Sequence, residues 1–493
     1  MQLSQNILSN ISAANVLKPG HPVFQLPEKV LQFGTGVLLR GLPDYFIDKA
    51  NRNGVFNGRI VVVKSTDTGD TNAFSEQDNL YTLCVRGVEG DKKVEENIIC
   101  SAISRVLSAK QQWKEILQCA HSLSMQIVIS NTTEAGLQLV KEFIQQKPPV
   151  SFPAKLLAFL YERFKAFNGS AESGMVIIPT ELITDNGKIL RSFILELAVF
   201  NNLGENFINW IKTHNRFCNS LVDRIVPGKP DAAIKENIEN ELGYTDGLLS
   251  ICEVYRLWAI EGDENIRAIL SFAEADKNVI IAPDIEIYKE LKLRLLNATH
   301  TLCSGLAYLA GFKTVKEAMD NAAFNIFIKQ LMLGEIAIAV PCVLPPNAAE
   351  NFSAQVLDRF RNPYLKHAWI NITLYYSLKM KMRVVPVLQR YFDLYHTVPE
   401  HIAMCFAAYI LFMKVTHTAN GKYYGECNNS PYLINDDHAA FFYTLWQNSN
   451  TNNIVPAILK NETLWGTDLS ALNGFEIAVQ KEFELLLKDG VKL

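Results

Sequence analysis

An excess of positive charge is missing from this 493-residue chain: 47 Lys and Arg stand against 51 Asp and Glu, a formal net charge of −4. That removes the electrostatic footprint expected of a protein that grips DNA, RNA or an anionic membrane. The opening residues, Met1 to Asn6, lack the basic start and apolar core of a signal peptide. No apolar run reads as long enough to span a bilayer; Glu335–Ile336–Ala337–Ile338–Ala339–Val340 is short and stops at Pro341. The nine cysteines are odd in number and scattered, with no Cys-x-x-Cys pair, so neither a disulfide framework nor a cysteine zinc site is expected. The histidines give no His-Glu-x-x-His or similar ligand spacing. Internal repeats and low-complexity tracts are absent as well. What remains is a reduced, cytoplasmic, metal-free globular protein, long enough for two or three domains.

The first two fifths alternate strand-like and helix-like segments. Lys29–Phe33, Arg59–Lys64, Gln126–Ser130 and Met175–Pro179 are apolar and β-branched, with helical patterns around Gln111–Ala120 and Ala154–Phe164 between them. Buried strands alternating with helices predict a parallel, doubly wound α/β sheet. Tyr81–Arg86, beside the turn Gly87–Val88–Glu89–Gly90, reads as an antiparallel hairpin added to that sheet. Beyond residue 190 strand signals fade, and helical patterns follow at Ala232–Leu242, Glu286–Ala310, Val315–Met332, His401–Met413 and Gly474–Leu487. The expected organisation is a Rossmann-like domain over residues 1–283 and an all-α domain over 284–493.

Lys292, Asn297 and His300 lie in a Leu-rich run without Gly or Pro. At about 100° per residue they fall within an arc of roughly 140° on one helix face. A lysine desolvated beside an amide and an imidazole suits proton transfer to or from a carbonyl or hydroxyl oxygen. A regular helix would set Lys292 and His300 about 12 Å apart along its axis, so convergence requires the lysine to curl back or the turn to be irregular. A partly exposed amphipathic helix would show the same spacing.

Gly34-x-Gly36 follows the first strand and opens a helix, the context in which such a turn brings backbone amides to a pyrophosphate. The usual third glycine falls at Leu39, with Arg40 and Gly41 just after; a plain strand–turn–helix link is the alternative. The second strand ends in Lys64–Ser65–Thr66–Asp67, where Asp67 can reach the ribose of NAD and Lys64 leaves room for the extra phosphate of NADP. Ser130–Asn131–Thr132–Thr133–Glu134 ends another strand, with small hydroxyl and amide side chains able to bond a nicotinamide ribose or carboxamide, or with Thr133 or Asn131 capping the next helix. Asp223–Arg224 is an ion pair in an apolar stretch, structural by itself. Arg359–His367 and Lys379–Arg383 are the densest basic region of the second half. They suit either a carboxylate ligand or a solvated face.

Taken together, Gly34-x-Gly36-x-x-x-Arg40, Ser130–Glu134, Val222–Asp223–Arg224–Ile225 and above all Lys292-x4-Asn297-x2-His300 resemble the mannitol dehydrogenase family of long-chain polyol-specific dehydrogenases, from about residue 28 to near the C-terminus. The resemblance implies an NAD-dependent oxidoreductase with Lys292, Asn297 and His300 catalytic. It places Gly34, Gly36, Arg40, Asp67, Asn131 and Thr132 at the cofactor, and Asp223 and Arg224 near a small-molecule substrate. Ile177–Ile183 and Arg361–His367, with weaker support from Val63–Thr66, carry a closer likeness to members that act on sugar acids, interconverting a keto-uronate and an aldonate. Lys366, His367 and Lys379 are then the residues expected to hold the carboxylate. Mannitol-type members carry an asparagine where Leu182 stands, and an acid one turn before the lysine, where this chain has Lys289 with Glu290 beside it. A sibling reductase or polyol dehydrogenase, and an epimerase that keeps its NAD, are the competing activities.

Overall fold

The computed structural model describes residues 1–66, 71–132 and 136–491. They form two compact units, Met1–Arg86 with Lys93–Ile285, and Gly87–Lys92 with Glu286–Leu493.

The first unit is built on a six-stranded sheet. Its strands are β1 (Glu28–Phe33), β2 (Arg59–Lys64), β3 (Ile103–Ser108), β4 (Ile127–Ser130), β5 (Val176–Pro179) and β6 (Arg216–Phe217). They run in the order β3-β2-β1-β4-β5-β6, and every neighbouring pair is parallel. The continuous apolar runs are explained by burial on both faces. Val30, Ile60, Val62, Ile127, Ile129, Val176 and Ile178 enter one core, while Leu31, Phe33, Val61, Val63, Val128 and Ile177 enter the other. Side chains alternate across a strand, so each run feeds both cores. Each fully buried Val, Ile or Leu contributes about 1.5–3 kcal/mol.

The second core is closed by helices Phe152–Ala166, Asn186–Phe200 and Glu205–His214. Helix Phe152–Ala166 starts where Ser151 accepts from the Ala154 amide and Pro153 sits in the first turn, a position that needs no amide donor. The first core is closed by helix Pro43–Arg52 and by Trp258, Ile260, Val279 and Ile281. These last four belong to a three-stranded sheet of Ser220–Asp223, Leu257–Glu261 and Val279–Ala282. Those strands, at most five residues long, lie in the stretch where strand signals fade.

The hairpin of Tyr81–Glu89 and Lys92–Cys100 is not an addition to the main sheet. It lies in a separate four-stranded sheet with Val16–Leu17 and Ser250–Glu253. The chain leaves that sheet at Cys100 and joins the main one only with β3, because Ile60 and Val62 pair with Ile103 and Val106.

The second unit is helical, with an antiparallel meander of His417–Ala419, Lys422–Cys427 and Ser430–Ile434. Helix Glu400–Phe412 packs against Thr299–Leu309 and Phe475–Asp489. Three π segments interrupt its helices: Lys292–Ala298, Gln330–Ile336 and Met380–Val384. The first packs against both of the others. Ala322–Ala339 forms one 18-residue helical stretch whose length and composition alone would allow it to cross a membrane. The sequence reading stopped at the short run before Pro341; the π segment joins that run to the apolar helix upstream. Glu335 in this stretch is buried and accepts hydrogen bonds from the His401 and Ile402 amides at 2.8 Å, capping helix Glu400–Phe412.

Candidate active site

In the first unit, the candidate cofactor residues stand at the carboxyl ends of β1 and β4, where the strand order reverses. That switch point is where open α/β sheets bind ligands. Phe33 pairs with Ser130 and Ser130 with Pro179, so Gly34, Asn131 and Thr180 lie side by side one residue further on. Gly34 has φ +128°, and a Cβ there would come within 3.0 Å of the Asn131 carbonyl and 2.8 Å of Leu39; only glycine fits. Gly36 is different. A Cβ on it would meet no protein atom within 4 Å, so packing does not demand the glycine, and its absent side chain leaves open space beside the backbone. A dinucleotide pyrophosphate needs that kind of approach, and the turn fits it. A Cβ on Gly41 would lie 2.8 Å from Val226, so this glycine allows close packing although it falls two positions past the usual place.

Asn131 Nδ2 donates to the Thr180 carbonyl at 3.1 Å and to Thr180 Oγ1 at 3.0 Å. The Thr132 amide and hydroxyl donate to Glu181 Oε1 at 2.8 and 3.1 Å, and Ser130 Oγ donates to Glu181 Oε2 at 3.2 Å. Glu181 is thus the anchor of this strand end, and sequence reasoning missed it. Burial raises its carboxyl above the usual range, against the pull of those hydrogen bonds. The Glu after Thr180 at the end of a buried strand was the available signal. Leu182, next to it, is exposed.

Arg40 is buried, with Nη1 donating to the Leu248 carbonyl at 2.6 Å and the guanidinium over the Phe74 and Tyr81 rings. Arg224 donates to the Gly41 carbonyl at 2.6 Å and the Glu253 carbonyl at 2.9 Å and lies 4.5 Å over the Tyr45 ring. Arg224 therefore ties the end of the glycine turn to the strand Ser250–Glu253. Asp223 beside it is buried. The Lys64 amine donates to the Thr66 carbonyl. Asp67, Thr133 and Glu134 fall outside the described residues.

In the second unit, the Lys292 helix is irregular where convergence requires it to be. Lys292–Ala298 is a π segment, with α-helix before it at Glu286–Leu291 and after it at Thr299–Leu309. In π geometry hydrogen bonds run i to i+5, so residues five apart recur on one face. Lys292 and Asn297 are five apart, and His300 follows three residues later where the α-helix resumes. The Lys-x4-Asn-x2-His spacing thus spans the change from π to α pitch.

His300 is buried, its ring stacked on Phe360 at 4.2 Å and edge-on to His367 at 5.0 Å. Its Nε2 is buried with no hydrogen-bond partner among the described residues. Burial and then the nearby His367, Arg359, Arg383 and Lys379 push its pKa well below the ordinary value, so the ring is neutral. His367 is lowered by burial, Arg359 and Lys379. The structure therefore gathers His367 and Lys379 about His300, while Lys366 is exposed and stands outside this group. Arg359 and Arg383 belong to it although neither was singled out from sequence. Lys289 pairs with Glu286 at 3.3 Å, and Glu290 pairs with Arg294 at 2.9 Å. Among the described residues no group of three or more His, Cys, Asp or Glu is arranged to hold a metal ion.

Comparison with known proteins follows the same division. The Mannitol dehydrogenase Rossmann domain family model matches residues 28–270, and the Mannitol dehydrogenase C-terminal domain model matches residues 284–487. The altronate oxidoreductase of Halalkalibacterium halodurans is 37% identical over 478 residues, 95% of this chain and 92% of that protein. That of Bacillus subtilis is 38% identical over 453 residues, 91% and 90% of the two chains. The fold is shared with mannitol 2-dehydrogenase of Pseudomonas fluorescens, solved with NAD and D-mannitol. That match has a TM-score of 0.66 at 23% identity and covers 100% of this chain and 98% of the other.

Proposed function

We infer the function from one premise: the chain belongs to the mannitol dehydrogenase family. It is an NAD(H)-dependent oxidoreductase that interconverts D-tagaturonate and D-altronate, reducing the keto-uronate to the aldonate in hexuronate breakdown. The observation that carries this reading is the likeness of more than nine tenths of the chain to altronate oxidoreductases. The stretches Ile177–Ile183 and Arg361–His367 point to the same branch. The cations around His300 agree with a substrate that bears a carboxylate. The partner is a small sugar acid rather than a nucleic acid or a membrane. All nine cysteines are free thiols, which agrees with a reducing, cytoplasmic setting.

The Gly34–Gly36 turn and the Asn131–Thr132 strand end would hold NAD(H), which when bound would supply or accept the hydride. The chain does the rest. Lys292 gives a proton to the carbonyl oxygen in reduction and withdraws it from the hydroxyl in oxidation. Asn297 and His300 hydrogen-bond the developing alkoxide, each such donor being worth about 3–4 kcal/mol of barrier. A neutral imidazole suits that role, because it donates through Nε2 without competing with Lys292 for the proton in transfer. The buried Nε2 that finds no protein partner is then satisfied by the substrate oxygen.

The test is a substrate panel. NADH oxidation by the full chain should show its highest kcat/KM with tagaturonate, above fructuronate and fructose. A higher value with either of the others overturns the substrate assignment. Conversion of substrate without net NADH consumption would mark an epimerase.

A further inference from the structure

Arg383 and Lys379 are two cations four residues apart, on and beside the π segment Met380–Val384, which packs against the Lys292 segment. Neither pairs with a carboxylate among the described residues. Arg383 Nη1 donates to Thr301 Oγ1 at 3.1 Å, and Lys379 Nζ donates to the Ile372 carbonyl at 2.9 Å. Thr301 directly follows His300, so Arg383 reaches the turn that carries the unpartnered Nε2. Its position is set from the backbone side as well. Arg294 Nη1 donates to the carbonyls of Met382 and Arg383 at 2.7 and 2.9 Å, and Arg294 is itself held by Glu290.

This is an unfavourable arrangement for an empty protein. Burial and the charge of Arg383 hold the Lys379 amine down to about 8, and burial lowers Arg383 too. Two partly desolvated like charges without a counter-ion do not stabilise a fold; they stabilise an anion that enters between them. Arg383 and Lys379 carry five and three donors, of which the protein accepts only one each in these bonds.

We propose that Arg383, with Lys379 beside it, binds the carboxylate of the substrate and so fixes which end of the sugar acid lies next to His300. The assignment rests on the keto-uronate reading above and sharpens it. It replaces exposed Lys366 in this role and makes Arg383 the residue that selects a sugar acid over a neutral ketose. The forked guanidinium matches a carboxylate, and a lysine supplies a second point charge.

Steady-state kinetics with NADH and tagaturonate on Arg383→Met, Arg383→Lys and Lys379→Met tests it. In Arg383→Met the KM should rise about 30- to 100-fold, the value of a charge-assisted hydrogen bond, with kcat within about threefold. Arg383→Lys should recover most of that loss, and Lys379→Met should raise KM about tenfold. An unchanged KM in Arg383→Met, or a fall in kcat that Arg383→Lys does not relieve, overturns the proposal. If Arg383→Met fails to fold, as judged by lost NADH binding, an unchanged KM in Lys379→Met overturns it instead. A wild-type chain that oxidises NADH with no keto-uronate would defeat the underlying activity rather than the carboxylate assignment.

Discussion

On the proposed assignment, the glycine turn of the first unit and the π segment of the second would meet their ligands in opposite ways. At the turn most side chains are bonded within the protein: Asn131 to Thr180, Thr132 to Glu181, and Arg40 Nη1 to Leu248, with Arg40 Nε left unpartnered among the described residues. What is offered is shape, through a glycine whose missing Cβ leaves room. In the helical unit the reverse holds. His300 Nε2 lacks a partner, and Arg383 and Lys379 lack a counter-ion among the described residues. A common coenzyme can be taken up by backbone and space, whereas a particular sugar acid is read by polar groups left waiting for it.

That contrast can be broken at either end. The largest effect should come from Lys292→Ala, which ought to lower kcat by about 10³-fold while leaving the Kd for NADH within about twofold. Loss of NADH binding in that variant would erase the division of labour. Next, His300→Phe keeps the stack on Phe360 but deletes Nε2, and kcat/KM should fall about 100-fold with little change in Tm. The glycines separate shape from stability. Gly36→Ala should weaken NADH about tenfold and leave stability within about 0.5 kcal/mol, whereas Gly34→Ala should cost about 1–3 kcal/mol of folding. Equal Tm losses in the two variants would refute that reading of Gly36.

The last contrast is in pH, where the two units should respond with opposite sign. His300 has a folded pKa well below its unfolded value, so the unfolded state takes up the proton first. Its contribution is complete above about pH 6.5 and is lost as pH falls below it, by at most about 1.4 kcal/mol per pH unit. Asp44 in the first unit is buried, and desolvation raises its carboxyl to about 8. That contribution is complete below the unfolded carboxylate pKa and is lost as pH rises toward about 8. Chemical unfolding of His300→Phe should therefore lose the acid-side dependence, and Asp44→Asn should be more stable than the wild type at pH 8 but not at pH 4. Parallel pH curves for wild type and variants would contradict both.

How far the sequence reached depends on whether the signal is local. Val61, Val62 and Val63 sit in one β-branched run whose bounds match the observed strand, because burial on both faces leaves no polar interruption. The Lys292, Asn297 and His300 spacing was visible too, although the π turn that explains it was not. A π segment depends on what packs against it, here the segments at Gln330 and Met380, and no local pattern encodes that. Arg383 was visible only as the end of the basic stretch Lys379–Arg383; its partner Thr301 lies 82 residues away, so nothing local set it apart from its neighbours. Glu181 appeared only as a member of the stretch Ile177–Ile183, since its role shows when β4 and β5 lie side by side. The short strands between Ser220 and Ala282 gave too few alternating residues to register as strands.

The central claim is that substrate oxygen completes what the protein leaves open at His300. The ¹⁵N chemical shift of the His300 Nε2, followed as the complex with NAD⁺ and altronate forms, tests it directly. The account predicts that this nitrogen moves to a hydrogen-bonded shift while the ring stays neutral. A resonance that does not move on forming the ternary complex would contradict it.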